Sequence, residues 1–328
     1  MERTSTTARV DGCVGIEERR ESGEVWRFSH RAMATVFEIL VVHPDEQYAA
    51  QAAHAAFELT DRLERELSRF VPNSDIARIS RLAVGERTYV SPSTLDCLAN
   101  ARHLFDFTGG AFDISIGTGL SSLELDGEEF RVRSTRNGVR LDLGGIGKGY
   151  AVDRMVELLE EWDLDRAVVH GGFSSVFALG SPEGREGWPL TLTDPVTPTR
   201  LLARLSLRQM AISASGLQKG PHIVDPRTGN PARGRLAAWA AVPRSVAVSV
   251  DGPGDDGPRA ATAAISDGLA TAFMLLSADE IARLCQSTPG LEAWLLQEPA
   301  SGSREPELLH FRASSSRHED AQETKDER

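Results

Sequence analysis

The sequence predicts an α+β fold, a single large domain of mixed sheet with packed helices. Three observations predict it. Short apolar runs such as TVFEILVV (35–42) have the length and β-branched content of strands, whereas residues 45–70 space their apolar side chains as a helix does. Strands and helices interleave irregularly, without the repeating unit of a βαβ array or any other internal repeat. The 41% hydrophobic fraction of 328 residues is enough for a real core and too high for global disorder.

The elements follow in order. Residues 1–24 are polar, lack the apolar stretch of a signal peptide, and are expected to form a disordered lead to a domain over 25–299. Thr35–Val42 is predicted as a strand. Ala49, Ala53, Ala56, Phe57, Leu63, Leu67 and Phe70 share one helical face, which predicts one long amphipathic helix over 45–70. Ser91-Pro92 provides an N-cap and a proline at the first helical position, for a helix ending near Gly109. Phe130–Arg133 and Val139–Leu143 are predicted to pair as a hairpin around Asn137-Gly138. A helix should run from Gly149 to Trp162. Strands are expected at Ala167–His170, Val176–Leu179, 188–194, 201–215 and Val246–Val250, with a loop at 251–259. Ser266–Leu276 is predicted as a helix, and Ser277 with Glu280 as the capping box of the next. Residues 300–328 are expected to be a polar, mostly disordered tail, apart from a last strand at Leu308–Phe311.

Composition excludes several functions. With 36 basic and 48 acidic residues the net charge is −12, and no long basic run exists. A nucleic-acid binder that neutralises many phosphates is therefore not expected. No run approaches the roughly 20 apolar residues of a membrane span, so stable membrane insertion is not expected. Cys13, Cys97 and Cys285 are odd in number and far apart, which speaks against a disulfide framework or a thiolate zinc site. Free thiols and the polar N-terminus lead to the expectation of a cytoplasmic protein. Of the 36 basic residues only Lys148, Lys219 and Lys325 are lysines, and the first two lie in glycine-rich loops.

Four segments pack Gly, Asp, Ser or Thr and one basic or imidazole group between apolar elements. In TGGAFDISIGTG (108–119), Gly109-Gly110 can end a helix and free backbone amides near Asp113. Its plain structural role is a helix C-cap and loop. In LDLGGIGKGYAVDR (141–154), a strand enters alternating glycines and a helix start beside Lys148, a setting that favours phosphate. It is no Walker A loop, because the positions that need Gly and Ser or Thr hold Asp142 and Gly149. The spacing Gly145, Gly147, Gly149 also fails the dinucleotide fingerprint, and tight helix packing on a sheet is the alternative. In SASGLQKGPHIVDPRTG (213–229), His222 suits acid–base work near neutral pH, while Asp225 can simply cap a turn. In AAISDGLATAFMLL (263–276), Asp267 and Thr271 are four apart and share one helix face. A carboxylate with a hydroxyl suits Mg²⁺, and the structural alternative is Asp267 as a first-turn partner of the helix dipole with Thr271 buried.

Together these segments resemble the ApbE family, flavin transferases that move FMN from FAD onto a protein Ser or Thr. The resemblance runs from about residue 28 to residue 297. It begins at Met33-Ala34-Thr35, like the family's Met-Gly-Thr. LSRFVPNSDIARIS (67–80), TGGAFD, LDLGGIGKGYAVDR, the stretch 171–175, HIVDPRTG and SDGLATA follow in order. Phe70 stands where the family often has Tyr, Ala34 replaces the usual Gly, and Ser80 stands where Asn is common.

The resemblance implies an ApbE-like domain and a role for each matching position. Met33, Phe70, Ala111, Phe112, Asp113, Asp142, Lys148 and Ile223 match FAD contacts. Gly145 and Ala270 through their backbones, with Asp267 and Thr271, match a Mg²⁺ site. His222, with Asp267, is the candidate for proton transfer. The implied reaction is Mg²⁺-dependent transfer of FMN from FAD to a Ser or Thr hydroxyl of an acceptor protein, releasing AMP. The same site would also serve an FAD pyrophosphatase giving FMN and AMP, or a non-enzymatic FAD-binding protein.

Overall fold

A computed structural model describes residues 14–16, 25–217, 220, 222–245, 261–299 and 305–313. In chain order the first elements are β1 (Val14–Ile16), β2 (Val25–Ala32), β3 (Thr35–Val42), α1 (Glu46–Leu67), α2 (Asp75–Ile79), β4 (Arg87–Tyr89) and α3 (Pro92–Phe107). Next come β5 (Leu123–Asp126), β6 (Arg131–Ser134), α4 (Gly147–Glu161), β7 (Ala167–Gly171), β8 (Ser175–Leu179), β9 (Trp188–Thr193) and β10 (Leu201–Leu207). The chain continues through β11 (Met210–Gly216), β12 (Arg235–Pro243), α5 (Thr262–Phe273), α6 (Ala278–Ser287), β13 (Glu292–Gln297) and β14 (Glu307–Arg312).

The fold class is α+β, with a large sheet and packed helices as expected. Eight strands form the main sheet in the order β14-β13-β12-β11-β8-β7-β3-β2, and every pairing in it is antiparallel. Both faces of its centre are buried. Phe37, Ile39 and Val41 of β3 and Val169 of β7 join α1, α4 and α5 in one core. Leu40 and Val168 point the other way, into a second core with Trp188, Leu190 and Leu192 of the small sheet β1-β9-β10. Double burial explains why TVFEILVV is nearly continuously apolar instead of alternating.

Local rules explain the helices. Asp45 caps α1 by accepting the Tyr48 N–H at 3.1 Å, and the buried stripe of α1 is mostly alanine and leucine. Ser91 accepts the Thr94 N–H at 3.0 Å at the start of α3, with Pro92 at its first position. Both bonds of the Ser277–Glu280 capping box are present.

Several expectations are corrected. The hairpin around Asn137-Gly138 does not form. β6 pairs instead with β4 and β5, while residues 139–143 form no strand. Their polar groups are taken elsewhere: Arg140 N–H donates to Thr118 Oγ1, Asp142 N–H to the Ile114 carbonyl, and Val84 N–H to Asn137 Oδ1. The strand expected over 201–215 is two strands, turning at Gln209. α5 begins four residues before Ser266, because its N-terminus is capped from another helix. Val14–Ile16, inside the polar lead, pairs with β9, and the strand expected at Leu308–Phe311 becomes the edge strand β14. Val246–Val250, the loop 251–259, Cys13, Lys219 and Lys325 lie outside the described residues.

Candidate active site

A cavity of about 580 Å³ opens where four loops meet the ends of α4, α5 and β11. Met33, Phe70, Ala111, Phe112, Asp113, Asp142, Gly145, Lys148, His222, Ile223, Asp267 and Thr271 all line it. Ala270 does not line the cavity; its side chain is fully buried beside Thr271.

Asp267 is the most constrained group. It is 2% exposed, and its Oδ2 accepts the Gly149 N–H at 3.1 Å. The Lys148 ammonium lies 3.2 and 3.4 Å from its two oxygens and 3.4 Å from the Gly144 carbonyl. A buried carboxylate needs such partners, since desolvation without them is costly. One helical turn on, Thr271 Oγ1 is 3.3 Å from the Asp267 carbonyl and 3.0 Å from Ser215 Oγ on β11. Gly145 closes this end: a Cβ there would lie 3.2 Å from both Thr271 Oγ1 and the Phe112 ring.

The other polar groups are organised by their own loops. Asp113 Oδ1 accepts from the Ser115 N–H and Oγ–H, both at 2.7 Å, and Oδ2 from the Gly117 N–H at 2.9 Å. Its carboxylate therefore shapes the loop after α3. Asp142 accepts the Gly144 N–H at 2.9 Å and faces Arg69 Nε at 3.4 Å. His222 Nδ1 donates to the Gly220 carbonyl at 2.9 Å, a tautomer that leaves the Nε2 lone pair for other work. Hydrogen bonds from Arg227 hold the Asp225 carboxyl below its usual range.

Strained backbone converges here. Met33 (φ 49°), Ala34 (φ 57°) and Ile116 (φ 50°) line the cavity in the left-handed region, and Phe173 (φ 55°) sits between the lining residues Gly172 and Ser174. Such conformations cost about 1–3 kcal/mol each and cluster at functional sites.

Phe70 is not on the buried face of the long helix, which ends at Leu67. It is 80% exposed, at the rim, with the Arg69 guanidinium 4.6 Å from its ring centroid, whereas Phe112 is buried. Arg69, Glu64 and Ser215 also line the cavity without a spacing signal of their own, and Asp153 lies behind it against α5. The sequence marks Arg69 only by its place in LSRF, and Asp153 only by standing next to last in the glycine-lysine motif.

The donor set tests the implied metal. Asp267, Thr271 and backbone carbonyls are hard oxygens, which suit Mg²⁺ with water and phosphate completing the shell. Among the described residues no group of three or more His, Cys, Asp or Glu side chains gathers as a metal site, so a cation here would rest on Asp267, one hydroxyl and backbone oxygens.

The fold and cavity define an α+β protein with an acidic, glycine-walled ligand site. The sequence profile of the ApbE family matches residues 33–121 and 118–252, and the chain belongs to that family. A Treponema pallidum protein named FAD:protein FMN transferase is 26% identical over 74% of this chain and 77% of its own. A Klebsiella pneumoniae protein of the same name is 23% identical over 83% of this chain and 84% of its own. The flavin transferase ApbE from Vibrio cholerae superposes with a TM-score of 0.72 at 19% identity, over 89% of this chain and 98% of that one. The ApbE protein from Thermotoga maritima gives 0.70 at 22% identity, over 89% and 97%. These two likenesses establish the fold.

Proposed function

We propose that this chain transfers FMN from FAD to a Ser or Thr hydroxyl of an acceptor protein, with Mg²⁺, and releases AMP. The observation that carries this reading is the placement of Asp267 and Thr271 against Gly145 and Lys148 in one cavity. Membership of the ApbE family and the relatives' names support the flavin chemistry.

Charge supports the cation. Among the described residues, Glu64, Asp113, Asp142 and Asp267 line the cavity against the cations Arg69 and Lys148. An anionic pyrophosphate entering that lining needs further positive charge. Asp267, Thr271 and the backbone carbonyls of Gly145 and Ala270 would hold Mg²⁺. Bound there, it would neutralise and orient the phosphoryl oxygens.

The chain's own groups do the rest. Lys148 adds a point charge at the phosphate end, and the glycines at 144 and 145 let backbone approach the nucleotide closely. The acceptor oxygen bonds to the phosphorus of the FMN half. The bond from that phosphorus to the bridging oxygen breaks, and AMP leaves with the electron pair. The hydroxyl proton passes to His222 Nε2, which its Nδ1 bond to Gly220 orients.

The test is intact mass and nucleotide analysis after incubating the protein with FAD, Mg²⁺ and candidate acceptors. An acceptor heavier by one FMN, with matching AMP, supports transfer. Free FMN and AMP without labelling would replace it with FAD hydrolysis, and FAD binding without AMP with a carrier role. We place the protein in the cytoplasm, a reading supported by the buried, unpaired thiols of Cys97 and Cys285. Among the described residues no helix is long and apolar enough to cross a membrane.

A further inference from the structure

Neither helix that carries the phosphate and cation end of the cavity caps itself. The residue before α4 is Ile146 and the residue before α5 is Ala261, and neither makes a side-chain cap. Each helix is capped by a carboxylate of the other. Asp267 of α5 takes the Gly149 N–H of α4. Asp153 of α4 takes the Ala263 and Ala264 N–H groups of α5, each at 2.8 Å and on a separate oxygen. The backbones touch between these bonds: a Cβ on Gly149 would lie 2.2 Å from the Ala263 carbonyl oxygen.

We propose that Asp153 is a positioning residue for the cation and phosphate end of the site. Its two bonds fix both the rotation and the axial placement of α5 on α4. Asp267 and Thr271 lie one and two turns beyond Ala263 and Ala264, so the same bonds set where they stand against Gly145 and Lys148. A single bond would leave α5 free to pivot, and ligands held even ~0.5 Å from their places lose much of their function. Asp153 itself is 3% exposed and does not line the cavity, so it acts only through α5.

This role, which rests on the metal site proposed above, is tested by Mn²⁺ titration of the full-length protein without flavin, followed by electron paramagnetic resonance. Asp153→Asn turns one acceptor oxygen into an NH₂ that faces a backbone donor. It should weaken Mn²⁺ binding about tenfold or more, in the range seen when groups behind metal ligands are changed. Glu160→Gln removes the α4 ion pair with Arg244, whose bonds are 2.5 and 2.8 Å, and serves as the control for lost stability. It should lower the melting temperature and leave Mn²⁺ affinity unchanged. Should Asp153→Asn fail to fold, Asp153→Glu is read in its place, since it keeps the charge and moves both oxygens by one methylene. Wild-type Mn²⁺ affinity in the folded Asp153 variant overturns the positioning role. No Mn²⁺ binding by the wild-type protein overturns the metal site, and this role with it.

Discussion

Asp153 and Asp267 each cap the helix on which the other stands, across the crossing of α4 and α5. Asp267 therefore has two tasks. It terminates α4 just where Lys148 and the glycine loop face the cavity, and it offers carboxylate oxygen to that cavity. Helix N-termini carry partial positive charge and unpaired N–H donors, and each carboxylate meets them where it sits.

Asp267→Ala should lower AMP release from FAD by about 100-fold or more, the scale on which single charge-stabilising groups act. It also removes the Gly149 bond, so some stability is lost. Initial rates on folded protein, verified by circular dichroism, check this. Retention of most of the activity would remove Asp267 from the reaction.

His222→Gln should lower kcat about 10²- to 10⁴-fold, the range for a lost general base. FAD affinity, followed by flavin fluorescence, should change far less. An equal loss in binding and rate would make His222 a ligand contact instead of a proton acceptor.

Stability should respond to pH through Asp153 in the direction opposite to an ordinary aspartate. Burial pushes its carboxyl up to about 7 from 3.8, outweighing Arg154 and the two amide donors. Between those values the folded state binds more protons than the unfolded state. This group's contribution is thus present in acid and is lost as pH rises toward about 7. The melting-temperature gap between wild type and Asp153→Asn should shrink from about pH 4 to about pH 7, the window that linkage sets. A gap that stays constant or widens would refute the assignment.

Gly149→Ala should destabilise the fold by about 1–3 kcal/mol, the usual cost of overpacking. Helix propensity alone favours Ala by about 1 kcal/mol. The contact with backbone at 2.2 Å decides the sign, because no side chain can rotate away. Urea unfolding measures it, and a stabilised variant would show that α4 and α5 can separate freely.

Ala34→Gly should do the reverse. At φ 57° a Cβ is strained by roughly 1–2 kcal/mol. Relieving about 1 kcal/mol of it should raise the melting temperature by about 2–4 °C, after allowing for glycine's looser unfolded chain. Calorimetry across the two proteins reads the shift directly.

The sequence by itself determined what depends on near neighbours. Ser91 and the Ser277–Glu280 pair marked helix starts, because a cap reaches only two or three residues. Asp267 and Thr271 were legible as a pair because helical pitch places them on one face. The loops around Asp113, Asp142 and His222 were legible because glycine, aspartate and histidine there follow a family order. Val139–Leu143 misled for the same local reason: it has the apolar character of a strand, but loop 114–118 takes its hydrogen bonds. Only the tertiary structure decided that Asp153 caps a helix 110 residues away, that Ser215 meets Thr271, and that Arg69 faces Asp142. The first two pairings come from α5 packing on α4 and β11, and the third from α1 packing on α4; burial of apolar surface drives that packing without leaving a local pattern at the polar residues it joins.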